Sequence, residues 1–176
     1  MTQHEIFLND QVDIQSLPQL DNILYVPLQK SYMTLMVITV TIVSVVLILA
    51  TWIGLMFSEL PAWVSIAGIL FWILLGLVRL LFIIKGFPHK AYAIRQRDIV
   101  YKTGWLYKRQ TTIPFKRIQH VDVRQGLLER AFDLGKLNIY TAGGQGSDLS
   151  IPGLQFEEAQ RIKAFILGIM ISDEEE

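Results

Sequence analysis

The chain of 176 residues contains no cysteine. Disulfides, thiolate metal sites and thiol nucleophiles are therefore excluded. Histidine is scarce: His4, His89 and His120 are the only three, and none stands in an H-E-x-x-H or similar metal-ligating spacing. His120 lies two residues from Asp122, which on a regular strand puts both on one face. A surface histidine beside an acid is a simpler reading of that pair than a catalytic dyad. A phosphate-binding loop is also missing. Gly143-Gly144-Gln145-Gly146 is rich in glycine but lacks the Lys-Ser/Thr and the following helix of a P-loop, so it reads as a hairpin turn. Asp133, Asp148, Glu157 and Glu158 form no metal or acid–base pattern. These shortages predict a chain that is not an enzyme and carries no cofactor.

The largest shortage is of charge. Thr34 to Phe57 is an apolar run of 24 residues and Ala62 to Ile84 one of 23, and Arg79 is the only charge in either. A helix rising ~1.5 Å per residue needs about 20 residues to cross a hydrocarbon core of ~30 Å, so each run is long enough to span with some tilt. The link Ser58-Glu59-Leu60-Pro61 permits only a tight reversal, which predicts a helical hairpin. The link holds no Lys or Arg. Lys30 precedes the first run, and Lys85, Lys90, Arg95 and Arg97 follow the second. The positive-inside rule then places both termini in the cytoplasm. Trp52, Phe57 and Trp63 fall at the outer interface, and Tyr32, Phe82 and Phe87 at the inner one, as an aromatic belt requires. The first 30 residues hold four acids against one Lys and no short apolar core, which does not fit a cleaved signal peptide.

Outside the hairpin the expected organisation is a cytoplasmic lead (1–33), the hairpin region (34–87), a soluble domain (88–171) and an acidic tail (172–176). The lead is polar and broken by Pro18 and Pro27, and reads as poorly ordered. Leu17, Leu20, Ile23, Leu24 and Leu28 are spaced roughly as one helical face, compatible with a short interfacial element. The formal net charge of zero hides an asymmetry. Residues 88–176 carry 13 basic and 11 acidic side chains, and without Asp173-Glu174-Glu175-Glu176 the acids fall to 7. A basic domain suits an anionic leaflet, although juxtamembrane basicity also serves to fix topology.

The soluble part reads as short strands closed by one helix. Alternation predicts strands over 89–95, 99–105 and 107–113, with Gly104 marking a break. The apolar phase changes between Ile118 and Val121/Val123, which implies a bulge near Gln119-His120 in a strand over 117–125. Leu127 to Phe132 is a helical turn. Leu137, Ile139 and Thr141 mark the next strand, and Asp148 to Ile151 the last. Phe156, Ala159, Ile162, Ile166 and Ile169 recur at helical spacing, with Glu157 and Glu158 in the first turn where the dipole favours acids. The fold class is α+β: a two-helix transmembrane hairpin followed by a curved sheet or barrel capped by a C-terminal helix.

The order Ile113-Pro114, Arg117-Ile118-Gln119 and Thr141-Ala142-Gly143, with a terminal helix behind a membrane hairpin, resembles the bacterial pleckstrin-homology-like domain of the YdbS-like membrane proteins, over roughly residues 15 to 170. The resemblance implies two curved antiparallel sheets capped by a C-terminal helix, held at the inner face of a bacterial plasma membrane. It implies no catalytic residues. It also implies action beside a second, larger membrane protein carrying the same kind of domain, or self-association.

Two groups of residues are candidates for contact. Lys102, Lys108, Arg109, Lys116 and Arg117 fall on adjacent strands and the turns joining them, and convergence on one edge would make a surface for anionic lipid or for a partner. Residues 102–109 resemble the first strand of eukaryotic phosphoinositide-binding domains, but here a strand already precedes them and the closing helix has no Trp. No aromatic stacking motif accompanies the charges, so nucleic acid is not an expected partner. Within the hairpin, Arg79 is an intramembrane charge and a functional suspect by default, although it lies within snorkelling reach of the inner headgroups. Ala50 and Gly54 form a small-xxx-small pair on the first span, and Gly68 and Gly76 lie on the second. Such residues permit close helix approach, either within the hairpin or to a partner. The leading expectation is a membrane-tethered interaction module in the lipid bilayer, paired with another membrane protein or with itself. The alternative is a sensor of anionic lipid headgroups. Transport is disfavoured, because two spans with one charge line no path unless several copies assemble.

Overall fold

A computed structural model of the chain describes residues 23–58, 61–142 and 148–174, with side chains as far as Ile171. The strand β1 (Val26–Pro27) precedes two long helices, α1 (Lys30–Met56) and α2 (Ala62–Gly86). A single 3-10 turn, Phe87–His89, leads into β2 (Ala91–Ile94), β3 (Asp98–Thr103) and β4 (Arg109–Pro114). Another, Phe115–Arg117, leads into β5 (Ile118–Arg124), followed by α3 (Leu127–Ala131), β6 (Leu134–Thr141), β7 (Leu149–Gln155) and α4 (Phe156–Glu174).

The two expected apolar runs are helices, each longer than its apolar core: 27 residues for α1 and 25 for α2. Both are long and apolar enough to cross a membrane. No residue of α1 is buried, and in α2 only Gly76 is. Leu49, Leu70 and Leu74 are each at least half exposed. A helix apolar on all sides and uncovered by its own chain requires an apolar solvent. Three hydroxyls within α1 are satisfied locally: Thr39, Thr41 and Thr51 donate to the carbonyls of Leu35, Val37 and Leu47 at 2.8–2.9 Å. Backbone and side-chain donors thus keep partners where water is absent. The reversal keeps Ser58, whose hydroxyl donates to the Leu55 carbonyl, and Pro61 at the start of α2. Glu59 and Leu60 lie outside the described residues.

The soluble part forms two antiparallel sheets, ordered β1-β2-β3-β4 and β5-β6-β7. Their described strands do not pair with one another, so the curved layers stay unclosed rather than forming a barrel. The expected bulge is present: the β5–β6 register shifts between Ile118 and His120. The core lies between the sheets and under α4. Ile99, Tyr101 and Ile113 come from the first sheet, Val121, Leu137, Ile139 and Ile151 from the second, and Ala159, Ile162 and Ile166 from α4. Tyr92 on β2 ties α4 to the first sheet, its hydroxyl donating to Glu158 Oε1 at 2.5 Å. Burial above all, then that hydrogen bond and the carboxylate charge, pushes the Tyr92 phenol well above its ordinary pKa. Tyr101, also buried, is pushed up to about 12, again chiefly by burial.

The segment before α1 departs from the sequence reading. Leu17 and Leu20 lie outside the described residues, and Ile23 to Tyr25 take no regular structure. Val26 and Pro27 pair with Tyr92 and Ala91, and Leu28 is 4% exposed within the core. These residues therefore belong to the soluble fold, although residues 29–90, hairpin included, separate them from β2. A proline serves here because β1 is the edge strand, where a missing N–H is tolerated. Tyr32 and Phe87, expected at the lipid interface, instead pack against the core. The ring of Tyr32 lies over Gly153, which has φ +71° and leaves no room for a β-carbon beneath the ring. Gln29 N–H donates to the Gly153 carbonyl at 3.1 Å. The root of α1 is thereby seated on β7.

Gly153→Ala therefore meets both a left-handed backbone and the Tyr32 ring, and should destabilise the folded domain by about 2–4 kcal/mol. Gly168→Ala on α4, where a β-carbon meets nothing within 4 Å, should be neutral or slightly stabilising. Thermal denaturation of the full chain in detergent, following the domain's tryptophan and tyrosine signals, compares the two; equal midpoints would contradict the seating of Tyr32 on Gly153.

Candidate functional site

The antiparallel order of the first sheet gives it two ends. β2 starts where α2 finishes, so the start of β2, the end of β3 and the start of β4 lie beside the hairpin. The β2–β3 turn and the end of β4 lie away from it. The far turn is closed by Arg95, which donates Nε and Nη2 to Asp98 at 2.6 and 2.5 Å.

This geometry divides the five basic candidates. Lys102, Lys108 and Arg109 stand at the hairpin end, on β3 and at the start of β4. Lys116 and Arg117 lie in the 3-10 turn beyond Pro114, about 20 Å further along a six-residue strand at ~3.3 Å per residue. Lys102 and Arg109 also leave opposite faces, because Thr103 rather than Lys102 is the register partner of Arg109. The ammonium of Lys102 lies 5.2 Å from the ring centre of Tyr25, on the segment before α1. Arg109 lines a cavity of about 280 Å³ with Tyr101, Thr111, Asp148 and Ser150, between β4 and the start of β7. Asp148 accepts the Thr141 N–H and hydroxyl at 2.6 and 2.7 Å. Those two bonds, helped by the positive field of Arg117, hold its carboxyl below the usual carboxylate range. Lys116 borders a larger cavity, about 550 Å³, with Arg97, Phe115 and Ile169 at the far end.

The partner of Asp122 is Arg124 rather than His120, whose field adds only a lesser contribution at that carboxyl. Asp122 is held by Arg124 Nε at 2.7 Å, which lowers its pKa, and the His120 ring lies 5.5 Å from that of Tyr140. Among the described residues no group of three or more His, Asp or Glu is placed to hold a metal. The Gly143–Gly146 turn lies outside the described residues.

In the hairpin the small residues separate into two sets. Gly68 and Gly76 form the seam with α1: a β-carbon at Gly68 would lie 3.2 Å from Thr51 Cγ2, and one at Gly76 would lie 2.9 Å from Ser44 Oγ. Trp72 Nε1 donates to Thr51 Oγ1 at 2.9 Å across the same seam. Ala50 and Gly54 are exposed, and a β-carbon at Gly54 would meet nothing within 4 Å. Arg79 is exposed on α2, six residues before Lys85, or about 9 Å along the axis.

Two features at the foot of the hairpin are not marked by any motif. Lys90 is half-buried, with its ammonium 5.5 Å from the Tyr32 ring centre and 3.8 Å from Met36 Sδ, and burial lowers its pKa. The β3–β4 turn presents Trp105, Leu106 and Tyr107, three exposed apolar side chains in succession. The expected strand over 99–105 includes Trp105, with Gly104 as a break within it. The strand ends at Thr103, and Gly104 at φ +99° turns the chain outward. The signal was that glycine, followed by three large side chains with no polar partner.

A two-helix membrane hairpin seated on an unclosed pair of sheets capped by a helix defines a membrane-anchored pleckstrin-homology-like protein. The family model described as bacterial PH domain matches residues 17–170, hairpin included, and the chain belongs to that family. It is 32% identical over 130 residues to the UPF0699 transmembrane protein YdbS of Bacillus subtilis (strain 168), covering 72% of this chain and 78% of that protein. No solved structure matches the chain significantly.

The Trp72–Thr51 bond should be separable from simple packing. In a double-mutant cycle of Trp72→Phe and Thr51→Val, read by unfolding in mixed detergent, the coupling should be about 0.6 kcal/mol and no more than ~1.7. A coupling of zero would mean that the two groups do not meet within the membrane.

Proposed function

We propose that the chain is a non-enzymatic, membrane-tethered interaction module, a subunit of a complex with another protein of its family or with a second copy of itself. The hairpin crosses a bacterial plasma membrane twice with both termini in the cytoplasm, and the soluble domain sits at the cytoplasmic face. The distribution of Lys and Arg around the spans supports that orientation.

The observation that carries the interaction reading is the unused face of α1. The hairpin fills its own seam with Gly68 and Gly76 and leaves Ala50 and Gly54 exposed, with nothing within 4 Å of a β-carbon built at Gly54. Helix association in lipid depends on close backbone approach, which such residues allow. The soluble domain adds a further surface: β4 is the outer strand of its sheet and most of it is exposed. A specific observation also favours a second reading, as a sensor of anionic headgroups: Lys102, Lys108 and Arg109 stand at the hairpin end of the domain, where lipid headgroups would lie.

Mild extraction of the tagged full chain from its own membranes should recover it with a second membrane protein or as a homo-oligomer. Gly54→Leu should reduce that recovery roughly tenfold or more, the equivalent of about 1.4 kcal/mol, while Ile66→Leu on the exposed side of α2 leaves it unchanged. A lone monomer in the unaltered protein would refute the interaction reading. The lipid reading has its own test, the co-purification of anionic lipid with the full chain. Lys108→Glu with Arg109→Glu should abolish a preference for anionic over neutral lipid, and a preference that survives the double substitution rules the basic strip out as a sensor.

A further inference from the structure

We propose that the β3–β4 turn is a second membrane anchor, which lowers Trp105, Leu106 and Tyr107 into the interfacial layer of the leaflet where α1 begins and α2 ends. This rests on the reading that α1 and α2 span a bilayer.

Trp105, Leu106 and Tyr107 are 44%, 72% and 85% exposed, so the chain itself covers little of the tip. Its position identifies what does. The Trp105 ring meets the Phe82 ring edge-on, with centroids 6.2 Å apart. Trp105 and Leu106 also line an apolar hollow with Val78, Leu81, Phe82 and Lys85 on the flank of α2. Leu81 and Phe82 are 60% and 54% exposed, and lie three to four residues before Lys85. At ~1.5 Å per residue that is about 5 Å inside the level of the Lys85 backbone, which is the depth at which hydrocarbon gives way to headgroups. The turn is thus continuous with the lipid-facing surface of a transmembrane helix, at the depth that Trp and Tyr prefer. Each has an apolar body and one polar group able to remain in the wet layer.

The charge around the tip fits the same occupant. Residues 99–121 contain no Asp or Glu, and Lys102, Lys108 and Arg109 bracket the turn while Lys85 borders the hollow. An anionic leaflet is attracted by such a collar, and basic stems can lie along apolar surface with their heads at the phosphates. The turn is also built to hold its shape. Gly104 has φ +99°, and a β-carbon there would collide with the Tyr107 carbonyl, so the tip folds back on itself tightly enough to present its three side chains together. The domain would then be fixed to the bilayer at two places, the hairpin and this tip, and held in one orientation.

The absence of cysteine makes the test direct. Single cysteines placed by Leu106→Cys and Tyr107→Cys in the full chain carry a nitroxide label without background. The protein is reconstituted into vesicles of phosphatidylcholine and phosphatidylglycerol, and collisions with oxygen and with a water-soluble nickel chelate are compared. Ile73→Cys in mid-α2 supplies the lipid reference and Gln96→Cys on the far turn the aqueous one. Labels at Leu106 and Tyr107 should collide with nickel roughly fivefold or more less often than the label at Gln96, and retain high oxygen collision, as an interfacial site does. Labels that behave like Gln96 while Ile73 reads lipid overturn the anchor and leave the hairpin intact. Shielding from both reagents overturns it too, because the tip would then be covered by protein. An aqueous reading at Ile73 overturns the spanning hairpin, and the anchor with it.

Discussion

The seat of α1 on β7 is the constraint from which the rest of the molecule follows. Tyr32 can lie flat over the sheet only because Gly153 has no side chain, and Gln29 bonds to the same glycine's carbonyl. Leu28 enters the core and Val26–Pro27 extends the first sheet, so the chain enters its hairpin from inside the soluble fold. It returns through Phe87, which also packs on the core, into β2. Both ends of the hairpin are thereby clamped to one domain. A flexible tether would let the domain tumble beneath the bilayer, whereas two clamped roots fix which end of the sheet faces the helices.

That orientation gives the polar and basic groups their meaning. Because β2 follows α2 directly, every connection of the first sheet is assigned to one end by antiparallel pairing. Lys102, Lys108 and Arg109 go to the hairpin end, and Lys116 and Arg117 to the opposite one, where the second cavity opens between the far turn and α4. A strip that is contiguous in sequence is spread along the sheet, with Lys116 at the far cavity and Arg117 near enough to Asp148, which lines the Arg109 cavity, to act on its carboxyl. In the hairpin the same division of labour holds for small residues. Gly68 and Gly76 admit Thr51 and Ser44 and are consumed by the internal seam. Ala50 and Gly54 are not, which leaves one face of α1 available at close backbone distance.

The sequence was most legible where the physics is local. Continuous apolar runs located both helices of the hairpin to within a few residues, each long and apolar enough to cross a membrane. Period-two alternation and the phase break at Gln119-His120 located β5 and its bulge, and the 3.6 period from Phe156 located α4. Legibility failed where sequence neighbours are not spatial neighbours. Nothing in Val26-Pro27-Leu28 announces a strand that pairs with residues 64 or more positions away, and a proline argues locally against one. Alternation carries no mark of where a strand stops: the strand expected over 99–105 ends at Thr103, two residues early, where Gly104 turns the chain.

Composition alone therefore determined that this chain enters a membrane, that it has no thiol chemistry, and that one amphipathic helix closes a small sheet domain. These properties depend on residue type and on periods of two or 3.6, and each is written within a short window. Tertiary structure alone decided which small residues are spent within the hairpin, how the basic strip divides, and that the lead completes the core. It also decided that a turn of three large side chains lies against the foot of α2. Each of these depends on the path by which distant segments meet, and that path is set by packing across the whole chain rather than by any stretch of it.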